Sequence, residues 1–307
     1  MDNLTNPTTN GSSDNKFSLG IAICILRAIS VLPLPLLYFL GVFFGEAAFW
    51  LVSSRRKVTI KNLTACFPDK TPVEIRKLAR KHFHHLVTGV FTMTVAWWAS
   101  PKRLKRLLVS NGSKKLKTLL EQNQNVIVLA PHFTSLEFLG GSLFSEFHMT
   151  SMYQNHKKPS VDRFIRSRRR RFGSELFNYK GSMTPLIKSI RKGMPFYYLP
   201  DQDPGKTRGV FAPFYKIPTA TFPALSKIAR LGNAKVIPCM AKLLPYGRGF
   251  EIIFDEPLKN YPGENEIEDA AIMNRAIEKL IEYAPEQYFW SHRRFKTRPD
   301  GDPPFYQ

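Results

Sequence analysis

Between Arg27 and Arg55 lie 27 residues that carry a single charge, Glu46, and are rich in Leu, Phe, Val and Ile. No other feature narrows the chain's options as much, because about 20 predominantly apolar residues suffice to cross a bilayer core. Residues 17–54 are therefore expected to form a membrane anchor. Pro33 and Pro35 kink or delay a helix, and with Glu46 they leave a buried core hairpin as the alternative. The flanks do not resemble a cleavable signal, since residues 1–16 carry Asp2, Asp14 and only Lys16, and no small-x-small site follows the apolar stretch. Arg55-Arg56-Lys57 comes next, and the positive-inside rule places the remainder, residues 55–307, in the cytoplasm. Residues 1–16, rich in Asn, Thr and Ser, read as a disordered tail.

The charge balance is strongly basic: 45 Lys plus Arg against 24 Asp plus Glu, a net +21, which implies an anionic partner such as nucleic acid, an acidic protein or an anionic lipid surface. The three cysteines, Cys24, Cys66 and Cys239, have no short pairing, so neither a disulfide scaffold nor a thiolate metal site is suggested. His82, His84 and His85 lack the spacing of a zinc pair and read as a packed or solvated helix face.

Residues 57–122 look mainly helical. From residue 125 the pattern alternates, with strand-like runs at 126–130, 149–154, 195–199, 235–244 and 249–255 and helical ones at 135–146, 160–171, 183–192, 220–231 and 267–283. That order predicts one α/β domain built on one sheet.

The first strand-like run, Val126-Ile-Val-Leu-Ala130, delivers His132 at its end and Glu137 at the start of a helical pattern. Imidazole can take a proton from a hydroxyl near neutral pH, and a carboxylate can fix its tautomer, so the pair suits acyl transfer with His132 as base and Glu137 as orienter. Thr134-Ser-Leu-Glu137 equally fits a capping box, in which Glu137 only ties down a backbone N–H. The two side chains can meet only if His132 lies outside the helix, in the strand-to-helix turn. A second polar loop, Asp201-Gln-Asp203-Pro-Gly205-Lys-Thr-Arg208, follows the strand-like Pro195–Pro200 and is a second candidate wall, although Pro and Gly there are also ordinary turn chemistry. Between these segments lies Arg166-Ser-Arg168-Arg-Arg-Arg171, in a stretch (151–230) that holds 17 Lys plus Arg and 4 Asp plus Glu, or +13 of the total. Guanidinium groups capture phosphate and carboxylate bidentately, so an acidic, phosphorylated headgroup is one reading and a solvated helix face the other.

Taken in order, His132-x4-Glu137, Tyr153 with Pro159 and Asp162 ahead of Arg169 and Arg171, Asp201-Gln202-Asp203, and the terminal Ala284-Pro-Glu-Gln-Tyr-Phe-Trp-Ser-His-Arg-Arg-Phe-Lys-Thr-Arg-Pro299 closely resemble the late acyltransferases of lipid A biosynthesis, from about residue 20 to the C-terminus. The resemblance implies a single mixed sheet flanked by helices, like that of glycerolipid acyltransferases, behind an N-terminal membrane-anchoring helix. It also implies an inner-membrane enzyme, with its catalytic domain on the cytoplasmic face, that moves a fatty acyl chain from acyl carrier protein to a hydroxyl of a lipid A precursor without a cofactor or metal. On that mapping His132 and Glu137 are catalytic, Arg169 and its neighbour Arg171 bind phosphate or support the oxyanion, Asp203 has a structural or substrate-orienting role, and Arg208 belongs to the substrate-binding set.

The chain departs from the family pattern at Tyr153-Gln154-Asn155, where Tyr-Arg-Pro is common, and it has Glu137 where the wider superfamily also uses Asp. Acylation of a lysophospholipid or glycerol phosphate is the nearest competing activity. A membrane-bound nucleic-acid-binding protein is a more distant one, and no DNA- or RNA-binding motif supports it.

Overall fold

The computed structural model describes residues 11–306. Helix α1 (Gly11–Ser30) and helix α2 (Leu34–Leu51) are separated by a break at Leu32-Pro33, because the residue before a proline is pushed out of helical geometry. Pro35 then sits in the first turn of α2, where its missing N–H leaves no hydrogen bond unmade. Helix α3 (Ser53–Cys66) and the long helix α4 (Pro72–Trp98) follow, the latter opened by a Thr71–Glu74 capping box, and then the short α5 (Pro101–Arg106). Residues 1–10 of the expected tail lie outside the described residues, whereas 11–16 already belong to α1.

Beyond residue 107 strands and helices alternate: β1 (Leu108–Asn111), α6 (Lys114–Glu121), β2 (Asn125–Leu129), α7 (Leu136–Glu146), β3 (Thr150–Tyr153), α8 (Pro159–Arg169), β4 (Glu175–Asn178), α9 (Thr184–Arg191) and β5 (Phe196–Tyr198). The chain continues through β6 (Val210–Phe214), β7 (Ile217–Thr221), α10 (Ala224–Gly232), β8 (Ala234–Leu243), β9 (Phe250–Phe254) and α11 (Glu266–Tyr283). Seven strands form a mixed sheet in the order β1-β9-β8-β2-β5-β3-β4, parallel throughout except for the antiparallel β8–β9 pair. This is the α/β architecture that the alternation predicts. Strand β2 explains why its sequence is continuously apolar: Ile127 and Leu129 enter one core with α4 and α9–α11, Val126 and Val128 enter the other with α6 and α7, and all four are fully buried.

Four strands depart from the expectation. β6 and β7 form a separate two-stranded antiparallel sheet in a region read as loop running into helix. Prolines demote a run as a strand signal, and here Pro213 and Pro218 face each other across the pair. β1 falls inside the stretch read as helical, and β4 has no buried residue, so neither leaves a hydrophobic alternation to detect.

The apolar N-terminal segment does not stand apart from the rest. Gly41 and Gly45, one turn apart on α2, let its backbone press against α4: a Cβ on Gly41 would lie 2.0 Å from Thr88 Oγ1, and one on Gly45 2.6 Å from His84 Cα. Glu46, the one charge in the stretch, accepts hydrogen bonds from Arg80 Nε at 2.5 Å and Trp50 Nε1 at 2.9 Å and pairs with His84 Nε2 at 2.9 Å. Arg103 donates to the carbonyls of Ser30 and Leu32, and Arg56 to those of Phe49 and Trp50, so two cations close the carboxyl ends of α1 and α2. The expected boundary between anchor and catalytic region is thus a packed interface. On the opposite side of α2, Leu36, Phe39, Phe43 and Phe44 are exposed, and among the described residues α2 is the one helix long and apolar enough to cross a membrane.

Candidate active site

Strands β2 and β5 run parallel, with Leu129 beside Tyr198, and they end in matching sequences: Leu129-Ala-Pro-His132 and Tyr198-Leu-Pro-Asp201. Proline cannot extend a ladder, so after the bond from Ala130 N to the Tyr198 carbonyl (2.9 Å) both chains leave the sheet together. His132 and Asp201 consequently emerge side by side at the carboxyl ends of the strands, the usual position of an α/β site. Asp201 accepts from the His132 backbone N–H at 2.9 Å and from Nδ1 of its ring at 2.6 Å. An ionised carboxylate only accepts, so Nδ1 carries the proton and Nε2 presents its lone pair. Asp201 is 2% exposed. Burial alone would raise its carboxyl, but the charge and hydrogen bonds of His132, with Arg294 beyond, hold it below the ordinary carboxylate range.

The terminal segment braces this turn. Phe289 N donates to the His132 carbonyl at 2.9 Å and Thr134 N to the Gln287 carbonyl at 2.8 Å, while the Gln287 side chain pairs with both backbone groups of Leu243. Asn62 holds the carbonyls of Trp290 and His292, and buried Arg294 donates to the Ala220 carbonyl and the Thr221 hydroxyl. From the other side α4 closes in at Gly89, where a Cβ would lie 2.4 Å from the Thr134 carbonyl oxygen.

His132 lies outside α7, as its spacing from Glu137 requires, yet the carboxylate bonded to its ring is Asp201 and not Glu137. The Glu137 carboxylate accepts from Trp97 Nε1 at 3.1 Å and from Arg169 Nε at 3.1 Å, with a second, shorter bond from Arg169 Nη2. Nor does Thr134 cap the helix, because Ser135 occupies the N-cap and makes no side-chain cap bond. The contact of Asp201 with His132 escapes sequence spacing because it depends on two strands being neighbours in the sheet. The matched Ala-Pro-His and Leu-Pro-Asp strand ends were the signal available.

The remaining candidates divide. Arg169, opposite Glu137, packs 5.4 Å from the Tyr153 ring centroid, and the Tyr153 hydroxyl donates to Asp162 at 2.7 Å. Burial and Asp162 push that phenol up to about 12. Arg171 donates to the Ala99 carbonyl and stacks 4.0 Å over Phe172, with burial and then Arg168 pushing it down to about 10. Arg208 donates to the Tyr179 hydroxyl at 2.8 Å. Asp203 spends one oxygen on Gly205 N and the other on Thr297 N, so it shapes its own loop and ties that loop to the terminal segment.

His132, Glu137, Arg168, Arg169, Arg171, Asp203 and Arg208 line one cavity of about 650 Å³, within the range of small-molecule sites. Its other walls are largely apolar: Leu86, Val90, Met93 and Trp97 of α4, Phe144 of α7, and Leu176, Leu199 and Phe222. Arg166 and Arg170, from the same run of arginines, face a different surface. The arrangement offers a base with a buried anionic partner, an apolar compartment and several guanidinium groups, which together suit transfer to or from a molecule that is part hydrocarbon and part anion.

Known proteins point the same way. The profile of the bacterial lipid A biosynthesis acyltransferase family matches residues 14–297. The chain is 30% identical to the lipid A biosynthesis lauroyltransferase of Escherichia coli K12, over 93% of its own length and 94% of the relative's. It is 32% identical to the palmitoleoyltransferase of the same organism over 90% of each chain, and 28% identical to the myristoyltransferase over 87% and 82%. With a family profile covering nearly all of it and its site at the ends of β2 and β5, this chain is an acyltransferase and belongs to the bacterial lipid A biosynthesis acyltransferase family.

Proposed function

We propose that the protein transfers a fatty acyl chain from the thioester of acyl carrier protein to a hydroxyl of a lipid A precursor, with His132 as general base. The observation that carries this reading is the 2.6 Å pairing of His132 Nδ1 with Asp201 at the wall of an apolar, arginine-rimmed cavity. His132 Nε2 takes the proton from the acceptor hydroxyl as its oxygen attacks the thioester carbonyl. That attack forms the C–O bond of a tetrahedral intermediate, whose collapse restores the carbonyl and breaks the C–S bond, and the departing thiolate takes the proton back from the imidazolium. Asp201 fixes the tautomer and balances the positive charge between those two steps.

In this scheme the role first given to Glu137 changes. Its carboxylate pins Arg169 at the cavity wall, leaving the guanidinium to face the developing oxyanion. Arg168, Arg171 and Arg208 meet the phosphates of the acceptor, and Asp203 acts through the loop that it shapes. The apolar walls take the acyl chain.

The exposed apolar face of α2 supports attachment to the inner membrane, where such an acceptor resides, and Arg55-Arg56-Lys57 after it favours a cytoplasmic catalytic domain. Membrane lipids are then a standing partner, and the scheme involves no cofactor, metal or nucleic acid. Mass spectrometry of a lipid A precursor incubated with detergent-purified enzyme and acyl carrier protein thioesters tests the reading. A mass gain of one acyl group, abolished in His132→Ala, is expected. A precursor left unmodified while a lysophospholipid is acylated would move the protein to a different acceptor.

A further inference from the structure

Helix α8 divides its arginines between two faces. Arg169 enters the cavity and pairs with Glu137, while Arg168 stacks over Trp98 and lines the same cavity. Phe164 turns inward as well, onto Trp97 and Trp98 at 5.5 and 5.9 Å between ring centroids. The outer face carries Arg163, Arg166 and, just past the helix end, Arg170, around a shallow basin completed by Pro159, Asp162 and Ser167. Asp162, whose carboxylate accepts from the Tyr153 hydroxyl at 2.7 Å and from His156 N at 2.6 Å, brings a single negative charge against these three cations, so the basin stays net positive. Among the described residues none of the three outer arginines is in an ion pair.

We propose that this outer face of α8 is the docking surface for the acidic carrier protein that presents the acyl thioester, an inference that rests on the acyl-transfer reading above. Three cations at positions i, i+3 and i+7 form a stripe about 10 Å long, a length that matches two turns of an acidic helix laid alongside. The stripe sits on the helix whose other side walls the reaction cavity, so a carrier seated there is next to the site it must feed. A bilayer is the other anionic surface at hand, but a helix that lies in a membrane interface buries apolar side chains, and the basin has no aliphatic or aromatic residue apart from the ring of Pro159. The exposed apolar side chains of this molecule concentrate on α2 instead.

The test compares two donors of equal chain length on the full-length enzyme in detergent: acyl thioester on the carrier protein, and the uncharged acyl-pantetheine. For the triple variant Arg163→Glu/Arg166→Glu/Arg170→Glu, KM for the carrier donor is expected to rise about 10- to 100-fold and to lose the salt dependence seen in wild type, with kcat and KM for acyl-pantetheine unchanged. The corresponding triple Lys variant, which keeps the charge, is expected to stay near wild type with both donors. An unchanged carrier KM in the Glu variant overturns the proposal, as does an equal loss with both donors. Loss of cosedimentation with phosphatidylglycerol vesicles while the carrier KM holds would assign the stripe to the membrane. Wild-type enzyme that accepts neither donor would bring down the acyl-transfer reading itself, and this surface with it.

Discussion

Two carboxylates sit at one cavity, Glu137 in its wall and Asp201 buried behind His132, and they differ in what they hold. Asp201 is fully buried and bonded to a titratable imidazole, whereas Glu137 is partly exposed and bonded to a guanidinium that stays charged at any working pH. A carboxylate beside imidazole gains interaction energy as the ring takes up a proton, so it can assist a step in which charge develops. One beside arginine has a constant partner, so it can place that partner and little else. Proximity in the chain is therefore a poor guide to which acid bonds the histidine. Glu137 is five residues from His132, Asp201 is 69 away, and the distant residue makes the contact.

The largest effect is expected from breaking the first pair. Asp201→Asn offers Nδ1 an amide that can force the opposite tautomer, and kcat for acyl transfer is expected to fall by about 10³- to 10⁴-fold with KM little changed. His132→Ala sets the floor, and the double variant is expected to be no slower than either single one, because a dyad fails as a unit. If Asp201→Asn kept a tenth of wild-type activity, the 2.6 Å contact would be structural and Glu137 would return as the candidate orienter.

Glu137→Gln should cost less, about 10- to 100-fold in kcat, because it frees Arg169 without touching the base. The split between the pairs is sharpest in the pH profile. With the Asp201–His132 pair intact, the shape of the kcat profile is expected to survive Glu137→Gln and only its height to drop. A displaced acid limb in that variant would mean that Glu137 acts on the imidazole after all. Arg169→Lys, which keeps the charge but loses the fork, is expected to resemble Glu137→Gln.

A packing change should act on the base more gently still. Gly89→Ala forces a methyl group against the Thr134 carbonyl, two residues beyond His132. A shift of a few tenths of an ångström in that turn is expected to lower kcat about tenfold and leave binding of the acceptor to the purified protein unaltered. A variant with wild-type kcat would show that α4 yields there more readily than the turn.

The two pairs also mark how far the sequence could be read. The apolar run of β2, the helix after it and the turn holding His132 were legible because each is fixed by residues a few positions apart. The same holds for α11, whose apolar period becomes its buried face in the folded chain. The pairing of His132 with Asp201 was not legible from spacing, since it follows from β5 lying next to β2 in a sheet whose order departs from chain order. The arginine run appeared as one cluster, and only the orientation of α8 separates the residues that enter the cavity from those that face out. The β6–β7 pair escaped because its two prolines contradict a strand by every local rule, while their placement opposite one another satisfies both.

A second histidine tests the comparison from the other direction, with the smallest effect. His82 is as buried as Asp201, but its Nδ1 meets only the Glu286 carbonyl, at 3.2 Å, and burial pushes its pKa down to about 4. The unfolded value is about 6.5, so between these limits the unfolded chain binds a proton that the folded one refuses. This contribution to stability is therefore complete above pH 6.5 and is lost as pH falls toward 4, at a rate that approaches 1.4 kcal/mol per pH unit. His82→Gln keeps a donor for the carbonyl and cannot be charged, so its unfolding temperature is expected to start lower at pH 7 and to fall less steeply on acidification than that of wild type. Parallel curves would mean that His82 takes up its proton while folded, and that a histidine buried here needs no carboxylate to carry charge. The contrast with His132 would then rest on the position of Asp201 rather than on its charge.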